Sequence, residues 1–257
     1  MAPSGQGRSP KDSFITVYGR MPVQEVLADP ALTVDKLVVA ESAGGGSLDR
    51  LLRMARERGV PVERASAHRV KVLAGNGKHD QGVIADVVAP GLRTLDELVE
   101  QSPSDARVLV LDGVTNPGNV GMIIRTATAA GLTGIVLPSA GSAGLGPLVI
   151  KASAGVAYRA SIVRCRQAAD AVRRLAEAGF TTYGLAGGAA TDLYDAEFRG
   201  RCAFVLGNES DGLSREVAGL VERPLSIPMA GGVDSLNVAS AAAVVCFELV
   251  RRSRSGA

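Results

Sequence analysis

Three segments of the chain combine side chains able to hold anionic oxygens with turns that bring backbone close to a ligand. The first is Asn116-Pro117-Gly118-Asn119-Val120-Gly121-Met122-Ile123-Ile124-Arg125, which follows the apolar run Val108-Leu109-Val110-Leu111 and opens an Ala-rich helix. A guanidinium such as that of Arg125 presents a planar fork of donors that matches a phosphate or a developing oxyanion. Pro117 suits a first helical position, where its missing N–H costs nothing. Asn119 and Arg125 are six positions apart, so they need not share a helix face at 3.6 residues per turn. Taken alone, the segment reads equally well as a strand–turn–helix junction with a surface Arg.

The second segment, Ala203-Phe204-Val205-Leu206-Gly207-Asn208-Glu209-Ser210-Asp211-Gly212-Leu213-Ser214, is again an apolar strand running into a polar turn. Gly207 suits a place of close backbone approach. Ser214 most simply caps the helix after it. The third, Leu225-Ser226-Ile227-Pro228-Met229-Ala230-Gly231-Gly232-Val233-Asp234-Ser235-Leu236-Asn237-Val238-Ala239, ends in another Ala-rich helix. Each turn singly is ordinary loop chemistry.

The elements around them alternate. After residue 105, strands are expected at 107–112, 133–137, 160–163, 180–185 and 202–206. Helices are expected near 118–130, 147–154, 167–178, 214–221 and 237–251. Such alternation implies an α/β fold, a Rossmann-like parallel sheet covered on both faces, with sites at the carboxyl edge of the strands. A smaller α/β unit is expected over residues 13–90, after a disordered Gly/Ser/Pro-rich tail at 1–12. In that unit Ser47 is expected to cap a helix running to Arg58. Residues 91–105 read as a linker that includes a short helix opened by the capping box Thr94-Leu95-Asp96-Glu97 and ends in Gln101-Ser102-Pro103-Ser104-Asp105.

The three segments, in this order, resemble the signature motifs of the SpoU (TrmH-type) RNA 2′-O-ribose methyltransferases of the SPOUT class. Three motifs in sequence carry far more than any one of them. The resemblance implies a C-terminal methyltransferase domain over 106–257 with a deep trefoil knot, which no periodicity could reveal. It implies S-adenosylmethionine as methyl donor, bound by Leu206, Gly207, Asn208, Ile227, Pro228, Met229, Ser235, Leu236, Asn237 and Ala239. It makes Arg125, Asn119, Glu209 and Asn237 the catalytic set. Arg125 would act as a general base or, more economically for a guanidinium that scarcely gives up its proton, as a phosphate clamp. More loosely, Gly19-Arg20-Met21-Pro22-Val23-Gln24-Glu25-Val26-Leu27 and His79-Asp80-Gln81-Gly82-Val83 resemble the N-terminal substrate-binding domain of one branch of the family, whose fold is like that of certain RNA-binding ribosomal proteins. Asp80 interrupts the usual His-Gln-Gly order.

The partners implied are RNA, with large-subunit ribosomal RNA favoured over transfer RNA, and a second copy of the chain joined through the C-terminal domain. The final apolar helix supplies the seam, and Ala242 is a candidate seam position. Arg69 and Lys78 are the better phosphate contacts of the first domain; Arg53, Glu57 and Arg58 read as a solvated helix face. The rival reading is a catalytically silent RNA-binding ribosome-assembly factor on the same fold.

Bulk properties fit without deciding. The chain of 257 residues is 46% hydrophobic and 21% charged, with a net charge of +2, so any nucleic-acid contact needs a local basic face. Three scattered cysteines and two distant histidines argue against a zinc site or a disulfide framework and for a reducing cytoplasm. No apolar run reaches membrane-spanning length, and no metal is expected. The phosphate-binding glycine loops of dehydrogenases and ATPases are not found: Gly141-Ser142-Ala143-Gly144-Leu145-Gly146 has the wrong spacing, and Gly77-Lys78-His79 lacks the required Ser or Thr.

Overall fold

The structure is a computed structural model and describes residues 13–75 and 80–255. The expected tail at 1–12 and the expected RNA contact Lys78 lie outside the described residues, as does His79. The chain divides into two compact units, the first ending at Pro90 and including Leu145–Pro147, the second comprising Gly91–Gly144 and the chain from Leu148 onward.

The first unit runs β1 (Phe14–Tyr18), α1 (Arg20–Ala28), β2 (Val34–Ala40), α2 (Gly46–Glu57), β3 (Val62–Ala65), α3 (Ala67–Leu73) and β4 (Val83–Val88). Its sheet has the order β1-β4-β2-β3. β4 is antiparallel to β1 and β2, and β2 is parallel to β3. Val38, Ala40, Ala65, Val70 and Ile84 pack together beneath α3. Helix α2 buries Leu48, Leu51 and Ala55 and turns Arg50, Arg53 and Arg56 to solvent, the one-sided pattern of a surface helix.

Two expectations for this unit are corrected. Ser47 does not cap α2: Gly45 holds that position at φ 101°, and no side chain caps it. The Ser47 hydroxyl instead accepts from Arg20 Nη1 at 2.6 Å. Nor is Arg58 part of a solvated face. Its guanidinium donates to the carbonyls of Val26, Leu27, Asp29 and Leu32 and braces the α1–β2 connection.

The second unit contains β5 (Leu92–Thr94), α4 (Leu95–Gln101), β6 (Arg107–Leu111), α5 (Pro117–Ala129), β7 (Gly134–Pro138), α6 (Pro147–Ala152), β8 (Ile162–Cys165), α7 (Ala168–Glu177), β9 (Thr181–Leu185), β10 (Cys202–Leu206), α8 (Arg215–Leu220), β11 (Arg223–Leu225) and α9 (Val238–Ser255). Seven strands form one sheet in the order β11-β9-β10-β6-β7-β8-β5, and every pairing is parallel. Strands covered on both faces read as continuous apolar runs. Val108, Val110, Val136, Val163, Ala203 and Val205 accordingly form one core with Ala171, Val172 and Leu175 of α7.

Residues 91–105, expected as a linker, begin instead with part of this sheet. β5 pairs in parallel with β8, and Thr94 and Glu97 make the full capping box that starts α4. Only the segment after Gln101 runs free of helix or strand, as far as Arg107.

The last helix is not buried on all sides. α9 packs on α5 and buries Ala242, Val245, Cys246 and Leu249, while Phe247 is 53% exposed. Ala242, fully buried within the chain, is therefore not a seam position. Glu248 is buried and bonded to Arg251 and Arg252, and Arg252 donates in turn to the carbonyls of Leu193, Tyr194 and Ala196. These bonds tie α9 to the β9–β10 connection.

Hydrogen bonding from Arg251, with further help from Arg252, holds the Glu248 carboxyl at about 2 against its burial. The folded-state value lies below the unfolded one, so the stabilisation is full above the unfolded value and is lost as pH falls toward the folded one. Urea-unfolding midpoints should therefore drop between about pH 5 and 2, and Glu248→Gln should flatten that slope while lowering the midpoint at neutral pH. An unchanged acid slope in the variant would show that the clasp does not carry it.

Candidate functional site

The connections after β6, β9, β10 and β11 leave the carboxyl edge of neighbouring strands. Strand order reverses beside β6: β7 and β8 lie to one side, β10 and β9 to the other. α/β sheets open their binding crevice at such a point.

The turn after β6 is built by Asn116, whose side chain caps α5 by accepting from Gly118 and Asn119 N–H, with Pro117 at the first helical position. This places Asn119, only 7% exposed, at the foot of the helix. Asn119 Nδ2 donates to Glu209 Oε1 in the turn after β10. Asn119 Oδ1 accepts from Asn237 Nδ2 at 3.1 Å. Asn237 Oδ1 accepts from Ala239 N–H at 2.9 Å, at the start of α9. The three segments picked out by sequence thus join through one chain of bonds, in which every amide has a fixed orientation.

Beside this chain lies a cavity of about 670 Å³ walled by the turns after β9, β10 and β11. Leu206, Gly207, Asn208, Glu209, Ile227, Pro228, Met229, Ser235 and Leu236 line it. Asn237 and Ala239 are not on its wall; Val238 and Ala241 are. Asn237 faces Asn119, and Ala239 is buried. Asn208 spends its amide on backbone, donating to Gly113 O at 2.9 Å and accepting from Ser210 N–H at 2.8 Å.

Sequence reasoning missed the wall formed by Leu185, Ala186, Gly187 and Gly188. The signal was present: a strand ending at 185 runs into a Gly pair at the same sheet edge as the other turns.

Glu209, Asp211 and Asp234 line the cavity, and among the described residues no Lys, Arg or His does. Such a wall disfavours a di- or triphosphate, whose charge calls for cations and N–H donors. It suits a nucleoside of net positive charge.

Arg125 lies apart from both features. It is exposed on α5, off the cavity wall, and makes no hydrogen bond or ion pair among the described residues. Arg69 is exposed on α3. Ser214 caps α8 as expected, accepting from Val217 N–H.

The fold is that of a family of RNA-modifying enzymes. Residues 106–247 match the SpoU rRNA Methylase family, residues 16–93 match the RNA 2′-O ribose methyltransferase substrate-binding family, and the chain belongs to the SpoU rRNA methylases. Among its relatives is the 23S rRNA (guanosine-2′-O-)-methyltransferase RlmB of Xanthomonas campestris, 36% identical over 92% of this chain and 96% of that protein. An uncharacterized tRNA/rRNA methyltransferase of Mycolicibacterium gilvum is 33% identical over 98% of this chain and 82% of its own length. Among solved structures, the SpoU methyltransferase AviRb of Streptomyces viridochromogenes in complex with AdoMet superposes with a TM-score of 0.65 at 26% identity, covering 98% of this chain and 95% of that one. The AdoMet-bound rRNA methyltransferase of Sinorhizobium meliloti gives a TM-score of 0.63 at 26% identity, covering 95% and 88%.

Proposed function

We propose that the chain transfers a methyl group from S-adenosylmethionine to the 2′-oxygen of a ribose in 23S ribosomal RNA. The observation that carries this reading is the Asn237–Asn119–Glu209 chain beside a cavity walled by carboxylates and backbone, in a member of the SpoU family. The cavity residues fit the donor: Gly207 and the turns at 186–188 and 227–229 offer backbone to a nucleoside, and the carboxylates face a cation. When bound, the donor supplies a methyl on a positively charged sulfur. Transfer breaks the S–CH3 bond, forms the O–CH3 bond and releases the hydroxyl proton, leaving a neutral sulfide.

The protein's part is to align and to stabilise. Glu209, oriented by Asn119, marks the cavity end nearest α5. Arg125, a fork without a partner among the described residues, clamps an RNA phosphate and offers donors to negative charge as it develops on the ribose oxygen. Arg69 adds a phosphate contact from the first unit, where such contacts set affinity and register. A titration of the donor into the protein by calorimetry tests the reading: saturable binding is expected, and its absence would favour a catalytically silent RNA-binding protein.

Three further features belong to this reading. The chain after β11 forms a trefoil knot by passing through the 186–201 connection. Supporting this, Ser226 pairs with Asp192, exchanges backbone bonds with Thr191 and Leu193, and is followed by α9, whose Arg252 holds carbonyls of the same connection. The first unit is an RNA reader of the ribosomal-protein type, supported by its family match. The enzyme is a homodimer through α5 and α9, supported by the solvent faces these packed helices leave: Met122 and Arg125 on one, Phe247 on the other. A two-fold interface repeats each contact, so Phe247→Glu places two charges in the seam. Sedimentation should then show monomers, against dimers of the unmodified protein; a dimeric variant would exclude this face.

A further inference from the structure

We propose that Asp112 is a positioning residue for methyl transfer, fastening the Glu209 turn to the foot of α5. The proposal rests on the methyl-transfer reading above. The turn leaves the sheet after Leu206 and ends at Ser214, where α8 begins. Reciprocal backbone bonds of 2.8 and 2.9 Å between Asn208 and Gly212 close its neck. Two tethers then join that neck to the β6–α5 turn, one on each side. Asn208 Nδ2 donates to Gly113 O at 2.9 Å, and Ser214 N–H donates to Asp112 Oδ2 at 2.7 Å.

Asp112 is suited to hold such a tether still. Its own N–H is taken by Leu206 O at 2.8 Å, which extends the β6–β10 ladder by one rung. It is 8% exposed, so its carboxylate depends on protein donors, and a bond from N–H to an ionised acceptor is among the strong ones. The bond closes a ring: from Asp112 along the turn to Asn119, across to Glu209, along the second turn to Ser214, and back to Asp112. Opening it at Asp112 frees the far side of the Glu209 turn. The Asn119–Glu209 bond, and with it the spacing between donor wall and α5, then has one tether where it had two. Ser214 thus serves twice, capping α8 with its hydroxyl and anchoring the turn with its N–H.

Three single variants and one double variant test this, assayed in the full chain with S-adenosylmethionine and 23S rRNA. Asp112→Ala removes the acceptor; kcat should fall by about 10–100-fold while KM for RNA stays within about threefold. Asp112→Asn keeps an oxygen that accepts the same N–H and should recover kcat to within about fivefold of wild type. Ser214→Pro deletes the donor at a residue whose φ of −58° proline accepts. It also removes the hydroxyl that caps α8, so kcat should fall at least as far as in Asp112→Ala, and the double variant should be no worse than Ser214→Pro alone, because Asp112→Ala then has no bond left to break. Wild-type kcat in Asp112→Ala, Asp112→Asn as impaired as Asp112→Ala, or additive losses in the double variant would each overturn the proposal. Failure of the wild-type protein to bind donor would remove the functional reading itself.

Discussion

Replacing Arg125 by alanine should lower methyl transfer by about 10²–10³-fold, the usual loss when one preorganised donor to developing charge is removed. Donor affinity should stay within about threefold, because Arg125 is absent from the cavity wall and is assigned to the RNA phosphate, not to the donor. Arg125→Lys should fail nearly as badly. An ammonium is a point charge and cannot reproduce two parallel bonds to a phosphate. Single-turnover rates at saturating RNA, with donor titrations by calorimetry, separate the two quantities. A lysine variant with near-normal kcat would remove the clamp, and a large loss of donor affinity in Arg125→Ala would place the residue in the donor site.

Gly207→Ala should abolish donor binding. A Cβ at this position would fall inside the carbonyl group of Gly212 and the backbone nitrogen of Leu213. Both are backbone atoms, held by the Asn208–Gly212 bonds, so neither can swing aside as a side chain would. The turn must shift as a whole, carrying Glu209 off Asn119 and deforming the cavity. A loss of donor affinity of at least about 100-fold is expected, with a destabilisation of about 1–3 kcal/mol from overpacking. Gly231→Ala offers the contrast: at φ 68° the new methyl meets open space, and only the backbone preference opposes it, about 1–2 kcal/mol. Equal donor affinity in Gly207→Ala and wild type would show that the close approach is not needed for the site.

The central strands were legible because burial on both faces makes them apolar throughout. β6, β7, β9 and β10 fall within a residue or two of their expected limits. The two short edge strands were not. β5 has three residues and a partner, β8, about seventy positions further on. β11 contains Pro224, tolerable only because an edge strand need not use every N–H. The site's residue types could be read as motifs, but not their pairing. Asn119 meets Glu209 and Asn237 across 90 and 118 positions, a tertiary fact without a local signal. Arg58 shows the converse: its surroundings in sequence match those of any solvated Arg, and only the fold brings four carbonyls to it. Ala242 was misplaced for a related reason. In a helix with small residues on several sides, composition does not say which side meets α5.

The destination of the methyl group decides the function. Unmethylated 23S rRNA should be incubated with the protein and donor carrying an isotopically labelled methyl, digested to nucleosides and analysed by mass spectrometry. Label is expected on the sugar, with the adjacent phosphodiester made resistant to alkali because its 2′-oxygen is capped. Label on a base with the ribose hydroxyl free, or no label although donor and RNA both bind, would contradict the proposed function.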